Sequence, residues 1–249
     1  MKSSWERLEQ ATAGRPGLAA QTIAAAAVAI ADADGLDAIS MRRIAAELGV
    51  SAMAAYRHVS SKDDVLDMMV DLVYGEVDIP DGTDWRETMS TFARGVRGLA
   101  LKHPWLTRLS APQAVFELTP RRLALEERAL SVLGGLGLDA DTAMSVYRSV
   151  AAFVHGATRA EMGYRQLIQE RCRADGADAW SGLSGQLNSL LSTGRYPAFA
   201  RYLQDATRQD DLTWQFETGL DYVLDGIAAR IGSPGSTGRG ERPGTRTWS

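Results

Sequence analysis

The sequence is poor in the residues that build disulfide frameworks and metal sites. Its 249 residues include one cysteine, Cys172, and three histidines, at positions 58, 103 and 155. A single cysteine excludes an internal disulfide, and histidines so far apart match no metal-binding spacing. We therefore expect no metal ion and no cofactor. A chain without disulfides suits the reducing cytoplasm, which is the location that we predict.

Long hydrophobic runs are also missing. The longest, Ile23–Ala31, is mostly alanine and too short to cross a bilayer, and residues 1–18 lack the apolar stretch of a secretory signal. No membrane partner is expected. The net charge of −4 argues against a protein that coats nucleic acid with its whole surface, so any DNA contact must use a local basic patch.

No group of residues has the spacing of a catalytic site. Ser51 and Ser60 are placed as helix caps, and the glycines of Gly134–Gly137 end a helical pattern where a phosphate loop would follow a strand. We predict that the chain is not an enzyme. A small α-helical enzyme is the alternative from a different class, and a gel-shift with DNA would distinguish the two.

What the sequence does contain is a pattern of two short helices joined by a tight turn. Ser40 is placed to cap the first helix, Gly49 to end it in a left-handed conformation, and Ser51 to cap the second. Apolar residues recur at helical spacing, and Ala55, Tyr56 and Val59 can face inward. This pattern is typical of a helix-turn-helix, whose second helix enters the DNA major groove.

The charges of this stretch favour DNA binding over a generic helical hairpin, because four cations and a histidine stand against one acidic residue, Glu47. The short side chains that open the second helix can press on thymine methyl groups but cannot donate hydrogen bonds. The predicted DNA contacts are Ser40, Arg42, Arg43, Ser51, Ala52, Met53, Ala54, Tyr56, Arg57, His58 and Lys62. Two alternatives stay open: a solvated surface charge for Arg43, and a packed helix residue for Tyr56.

Several motifs resemble the TetR family of repressors. They are Met-Arg-Arg-Ile-Ala-Ala-Glu-Leu-Gly-Val at 41–50, Tyr-Arg-His-Val at 56–59 and Lys-Asp-Asp-Val-Leu at 62–66. Residues 216–227 are similar to the last helix of the tetracycline-repressor type of ligand and dimerisation domain. His-Pro-Trp-Leu at 103–106 and the segment 194–200 resemble relatives that answer to antibiotics. By this resemblance Arg42 contacts bases, and Tyr56, His58 and Lys62 contact phosphates.

The resemblance implies an all-α fold with an N-terminal three-helix helix-turn-helix domain and a larger helical domain for ligand binding and dimerisation. We predict a flexible arm over 1–18, a DNA-binding domain over 19–77, an effector-binding and dimerisation domain over 84–231, and a disordered tail over 232–249. The turn-rich residues 78–83 mark the boundary. Residues 171–195 are predicted to be a partly ordered loop.

The function that the resemblance implies is a homodimeric repressor released from a near-palindromic operator by an antibiotic-like or polyketide-like effector. A magnesium site of the tetracycline type cannot be traced in the sequence. The residues predicted to line the effector pocket are His103, Trp105, Phe116, Tyr147, Ala151 and His155. The alternative is a helix-turn-helix regulator with a filled core and no small-molecule ligand, switched by a protein partner or by its abundance.

Two further expectations concern assembly and switching. The last helix and the long helix after Asp139 should pair with their twins in a four-helix bundle. Gly219 and Gly226 would let backbones approach there, and the alternative is that both glycines are simply tolerated. The helix predicted over Ser61–Val77 should transmit the effector signal, because it leads from the DNA-binding domain into the rest of the chain.

Overall fold

The computed structural model describes residues 17–57, 59, 61–109, 119–173 and 177–231, with backbone alone for 17–19 and 170–184. The described residues form helices and turns without a β-strand, which confirms the all-α prediction. The α-helices are α1 (Gly17–Asp34), α2 (Met41–Glu47), α3 (Ala52–Ala55), α4 (Lys62–Tyr74), α5 (Trp85–Lys102), α6 (Pro120–Gly134), α7 (Ala140–Arg173), α8 (Ala177–Ser192), α9 (Pro197–Asp205) and α10 (Leu212–Ile231). Two 3₁₀ helices span Leu36–Ala38 and Pro104–Arg108, and we call the second the junction helix.

Helices α1 to α4 form the N-terminal part of the fold, here called the head. α1 packs against α4 and α2, and α2 packs against α3. The head is centred on small and β-branched residues, which allow these short helices to approach closely. Those buried at its centre include Ile23, Ala27, Ile30, Ile44, Ala45, Ala55 and Val59.

Local signals explain where the helices of the head begin and end. The hydroxyls of Ser40 and Ser51 accept hydrogen bonds from backbone N–H groups in the first turns of α2 and α3, as their positions predicted. Gly49 has a φ of +65°, a left-handed conformation that suits glycine and ends α2. The tight turn between α2 and α3 therefore follows from the sequence.

Helices α5 to α10 form the body. α5 packs against α6 and α7, and α10 lies along α7 with a smaller contact to α5. Asp84 and Thr119 cap α5 and α6, and Asp139 accepts a hydrogen bond from the backbone of Thr142 at the start of α7. Within the part of the chain that the structure describes, no helix combines the length and apolarity needed to cross a membrane.

Gly219 has a packing role that differs from the predicted one. A Cβ at this position would lie 2.8 Å from the ring of Phe153, so the missing side chain allows α10 to approach α7 of the same chain. A Cβ at Gly226 would meet no described atom within 4 Å. Gly219 therefore serves the fold of one chain, and only Gly226 leaves room for a neighbour.

The loop predicted for residues 171–195 is wrong over Ala177–Ser192, which form α8. Leu183, Leu187 and Leu191 recur at helical spacing, and each glycine in a helix costs only about 1 kcal/mol relative to alanine. Differences elsewhere are small: α4 ends at Tyr74, three residues before the predicted Val77. The predicted arm up to residue 16 and the tail 232–249 lie outside the described residues.

Candidate DNA interface and effector cavity

The predicted base-reading surface is exposed on one side of the head. Met53 at the centre of α3 is 79% exposed, and Ala52 and Ala54 beside it are half-buried. Arg42 on α2 and Arg57 just after α3 are also exposed, and neither forms an ion pair with another described residue. An apolar tip flanked by two unpaired guanidinium groups is suited to thymine methyls and guanine edges in a major groove.

Arg43 is placed differently from Arg42. Its guanidinium forms an ion pair with Asp34 at the end of α1, with an N–O distance of 2.6 Å. Both side chains are about half exposed, so the pair adds little stability. Arg43 therefore links α2 to α1, which supports the alternative role of a surface charge.

Three of the predicted DNA contacts lie around one groove. Ser40, Tyr56 and Lys62 border it together with the buried Val65. Tyr56 is 57% exposed, which argues against the alternative of a packed helix residue and leaves its side chain accessible to a phosphate. The hydroxyls of Ser40 and Ser51 are occupied as helix caps. His58 lies outside the described residues.

The body contains a cavity of about 280 Å³ between α4, α5, the junction helix, α6 and α7. Its floor is apolar, and it reaches solvent beside exposed residues of α7. The described residues that line it are Val70, Tyr74, Val96, Leu99, Ala100, Leu106, Thr107, Leu109, Arg122, His155, Gly156, Thr158 and Arg159. An apolar enclosure with a few converging polar groups is the usual form of a small-molecule site.

Of the predicted pocket residues that the structure describes, His155 lines this cavity and the other four do not. Tyr147 is buried instead against Phe92, with ring centroids 5.4 Å apart, and its hydroxyl donates to Glu126. Burial and then the nearby Glu126 carboxylate raise the pKa of Tyr147, so its phenol stays protonated. Ala151 packs into the same core. Phe116 lies outside the described residues.

The polar groups of the cavity come mainly from α7. His155 is reached by solvent at the mouth but is otherwise surrounded by protein, and this desolvation, together with the nearby Arg122, lowers its pKa. Its imidazole is therefore neutral at neutral pH. The Thr158 hydroxyl is buried without a hydrogen-bond partner among the described residues. Arg159 donates to the carbonyl oxygen of Thr107 over 3.3 Å.

His103 and Trp105 do not line the cavity because they face the head, in what we call the junction cluster: Asp32, Glu76, Lys102, His103 and Trp105. The Asp32 carboxylate at the end of α1 accepts from the Trp105 indole Nε1 at 2.8 Å and from His103 Nδ1 at 2.9 Å. Both donors are almost fully buried. The cluster fastens the junction helix of the body to the first helix of the head.

Glu76 completes the junction cluster from the other side. Its carboxylate lies 3.4 Å from His103 Nε2 and accepts from Lys102 Nζ at 2.6 Å. Partial burial acts to raise the pKa of Glu76, but the bonds from Lys102 and His103 outweigh it and hold the pKa below its ordinary value. One residue further along the junction helix from Thr107, Arg108 pairs with Asp37 of the head at 2.8 Å.

Sequence reasoning missed most of the cavity lining and the whole junction cluster. A buried tryptophan N–H requires an acceptor, so a polar partner for Trp105 could be predicted. The sequence does not show that this acceptor is Asp32, 73 residues away. Thr158 and Arg159 follow His155 at spacings of three and four, so they share its face of the helix. This spacing could have predicted that the pocket continues along α7 to Thr158 and Arg159.

Both parts of the fold match known family profiles. Residues 23–69 match the profile described as "Bacterial regulatory proteins, tetR family", and residues 79–231 match "Tetracyclin repressor-like, C-terminal domain". The second match alone covers more than half of the chain.

Whole-length relatives give the same result. The HTH-type transcriptional repressor DrrR1 of Streptomyces coeruleorubidus is 33% identical over 221 residues, which cover 87% of this chain and 80% of the relative. The solved structure of the TetR family protein ActR of Streptomyces coelicolor in complex with (S)-DNPA superposes with a TM-score of 0.65 at 28% identity. It covers 86% of this chain and 98% of that one. The complex of ActR with actinorhodin gives a TM-score of 0.63, also at 28% identity, and covers 86% of this chain and 96% of the other.

Proposed function

The chain belongs to the TetR family of transcriptional regulators, and from this premise we propose that it is a homodimer that a small molecule releases from a near-palindromic operator. It is a DNA-binding regulator of the repressor type, and it is not an enzyme. Because its partner is chromosomal DNA, we place its action in the cytoplasm. The proposed division is a DNA-binding domain over 19–77 and an effector-binding and dimerisation domain over 84–231.

The observation that carries the proposal is that the cavity and the link to the head share one element. Leu106 and Thr107 of the junction helix line the cavity, while Trp105 and Arg108 of the same short helix bind the head. A ligand that shifts this helix therefore acts on the bonds that orient the head. The complexes of ActR with (S)-DNPA and actinorhodin support a small-molecule effector in this type of body.

A second route runs through α4. Val70 and Tyr74 of this helix line the cavity, while Val65 packs within the head beside the groove of Ser40, Tyr56 and Lys62. A ligand must bind the non-DNA-binding conformation more tightly, since equal affinity for both conformations shifts nothing. A coupling of about 1–3 kcal/mol is the usual scale, or several-fold to about a hundredfold in operator affinity.

Contacts with the operator are expected to divide between base reading and phosphate binding. Arg42→Ala should cost about 1–3 kcal/mol and relax base preference at one position, because a bidentate guanine contact is lost. Lys62→Ala should weaken binding to all sequences alike and lower the salt slope by about one. The measurement is fluorescence anisotropy with DNA from upstream of its own gene, over a range of salt concentrations.

Arg195→Ala is the matched control, because this exposed arginine lies between α8 and α9, away from the head. It should change neither affinity nor salt slope. An Arg42→Ala protein with the wild-type operator affinity would contradict the assigned base contact. A wild-type protein that does not bind the upstream DNA would contradict the proposed function itself.

The dimer is proposed to form through the exposed faces of α7 and α10. Tyr222 on α10 is 73% exposed, and Trp214, about two turns before it, is also exposed. Small residues leave the neighbouring surface open, with Gly226 on α10 and Ala152 on α7. Apolar side chains on α9, among them Phe199 and Tyr202, are likewise uncovered in one chain. A second copy of the chain fits this distribution of exposed apolar surface.

Tyr222→Glu should convert the dimer to a monomer, because it places a charge in the proposed interface without touching the core. Leu220 is unsuitable for this test, since it is buried in the core of its own chain and its replacement would disturb the fold. Leu136→Glu is the control, at an exposed leucine after α6. Analytical ultracentrifugation at micromolar concentration gives the result. A Tyr222→Glu protein that stays dimeric would contradict the interface, and a monomeric wild type would contradict the dimer.

A further inference from the structure

We propose that the cavity in the body takes an organic anion: a mainly apolar molecule that carries one carboxylate. This inference rests on the proposed small-molecule response and names the chemical class of the effector. The carboxylate would lie between Arg122 and Arg159 and would accept a hydrogen bond from the Thr158 hydroxyl. The apolar part would occupy the space lined by α4, α5 and the junction helix.

The charged side chains among the described lining residues of the cavity are all positive. Two arginines, Arg122 and Arg159, line the cavity, and no acidic residue is among the described lining residues. The two guanidinium groups would therefore repel a cationic ligand, and no carboxylate among the described lining residues would bind it. Two guanidinium groups that line one cavity favour a negatively charged ligand, and a carboxylate matches the planar arrangement of their donors.

Arg159 has donors to spare at the mouth of the cavity. Among the described residues it forms one hydrogen bond, the 3.3 Å contact from a terminal nitrogen to the Thr107 carbonyl oxygen, and no ion pair. A guanidinium group has five N–H donors in a fixed arrangement. The contact with Thr107 holds the side chain across the mouth and leaves most of its donors for a bound group.

Arg122 supplies positive charge deeper in the cavity. Its side chain is 11% exposed, and its Nε forms an ion pair with the Glu126 carboxylate one turn along α6, at 3.6 Å. Glu126 also accepts from the Tyr147 hydroxyl at 3.0 Å. The Arg122 guanidinium lies 5.7 Å from the ring centroid of Tyr74, which lines the cavity as well. Glu126 therefore offsets part of the charge of Arg122, which still lines the cavity.

Thr158 provides an independent sign of a missing polar partner. Its residue is 3% exposed, its hydroxyl has no hydrogen-bond partner in the described structure, and it lines the cavity. A buried hydroxyl without a partner is costly and needs an explanation. His155, Thr158 and Arg159 follow one another at helical spacing on α7, and all three side chains line the same cavity.

The rest of the lining specifies the body of the ligand. Val70, Val96, Leu99, Ala100, Leu106 and Leu109 are apolar and come from three different elements. A small hydrophilic acid would leave this surface in contact with water and gain little from binding. The combination of an apolar space with a cationic side therefore selects an aromatic or polycyclic carboxylic acid over either a neutral hydrocarbon or a free inorganic anion.

The test uses matched pairs of probes, 2-naphthoic acid and anthraquinone-2-carboxylic acid, each with its neutral primary amide. Binding to the full-length protein is measured by isothermal titration calorimetry at pH 7, where the acids are ionised. We expect each acid to bind at least about tenfold more tightly than its amide. Arg159→Gln and Arg122→Gln should reduce that preference, and Thr158→Val should weaken the binding of both members of a pair. Arg195→Gln is the control and should leave the preference intact.

The inference is overturned if the amides bind as tightly as the acids, if none of the acids binds, or if the preference survives in both arginine variants. Operator binding is measured in parallel by fluorescence anisotropy. Release of the operator by an amide and not by its acid would overturn the anionic class while leaving the effector-released repressor in place. Failure of the ligand-free protein to bind the operator would overturn the proposed function, whatever the calorimetry shows.

Discussion

Replacement of Glu161 by Gln is expected to lower the free energy of unfolding by about 3–5 kcal/mol, because it leaves a buried guanidinium without its counter-charge. The Glu161 side chain is 4% exposed and that of Arg97 is 12% exposed. Two hydrogen bonds join them at 2.8 and 3.0 Å, and Arg97 also lies 4.8 Å from the ring centroid of Phe216. This pair ties α5 and α7 to α10 at the centre of the body.

The control is the outer partner of the same carboxylate. Arg165 binds Glu161 at 2.8 Å but is about half exposed, so Arg165→Gln should change stability by no more than about 1 kcal/mol. Urea denaturation at one fixed protein concentration measures both variants, since dimerisation makes apparent stability depend on concentration. If Glu161→Gln and Arg165→Gln lower the free energy of unfolding by the same amount, the burial of the Arg97–Glu161 pair is not the cause of the loss.

The same carboxylate should also make stability depend on pH. Burial acts to raise the pKa of Glu161, but Arg97 and then Arg165 outweigh it and hold the pKa below the ordinary value of 4.5. The unfolded chain therefore takes up its proton at a higher pH than the folded chain. The stabilisation is fully present above about pH 4.5 and is lost as the pH falls through the folded pKa. Glu161→Gln removes this part of the acid dependence.

Asp32→Ala is expected to weaken the attachment of the head to the body. The substitution leaves the Trp105 indole N–H and His103 Nδ1 buried without their acceptor, at about 1–3 kcal/mol for each. Operator affinity should fall as well, because the two heads of a dimer would no longer be held at one spacing. Denaturation with urea gives the first effect, and fluorescence anisotropy with the operator gives the second.

Two further variants make this test specific. Asp32→Asn keeps one carbonyl acceptor and should lose less than Asp32→Ala. Arg108→Ala removes the neighbouring pair with Asp37, in which both side chains are well exposed, and should have little effect on either measurement. If Arg108→Ala lowers operator affinity as much as Asp32→Ala does, the buried cluster is not what orients the head.

The head could be predicted almost completely from the sequence because its determinants are local. A capping serine, a glycine at the end of α2 and apolar residues at spacings of three and four specify each short helix within a dozen residues. The same kind of local signal marks the starts of α5, α6 and α7, where Asp84, Thr119 and Asp139 accept hydrogen bonds from backbone N–H groups. The failure of the prediction at α8 also has a local cause, since scattered glycines obscured a leucine repeat that still forms a helix.

The cavity and the junction cluster could not be predicted in the same way. Spacing shows which side of a helix is apolar, but not whether that side meets another side chain or an empty space. Tyr147 and His155 are both on α7, eight residues apart, yet one is packed against Phe92 and the other faces the cavity. The sequence also does not show the hydrogen-bond acceptor of Trp105, because that acceptor depends on how two helices distant in the sequence meet.

The position of α4 has a consequence for the order of folding and for any attempt to shorten the protein. This helix packs on α1 in the head and on α5 and α6 in the body, so its buried residues serve two cores. During synthesis the head can complete its own local contacts before residue 85 emerges, but Val70 and Tyr74 then remain uncovered. A fragment that ends at residue 77 would expose this apolar strip and leave Asp32 without its two donors. We therefore expect such a fragment to be less stable than the whole chain, and a soluble fragment would need polar replacements along the outer side of α4.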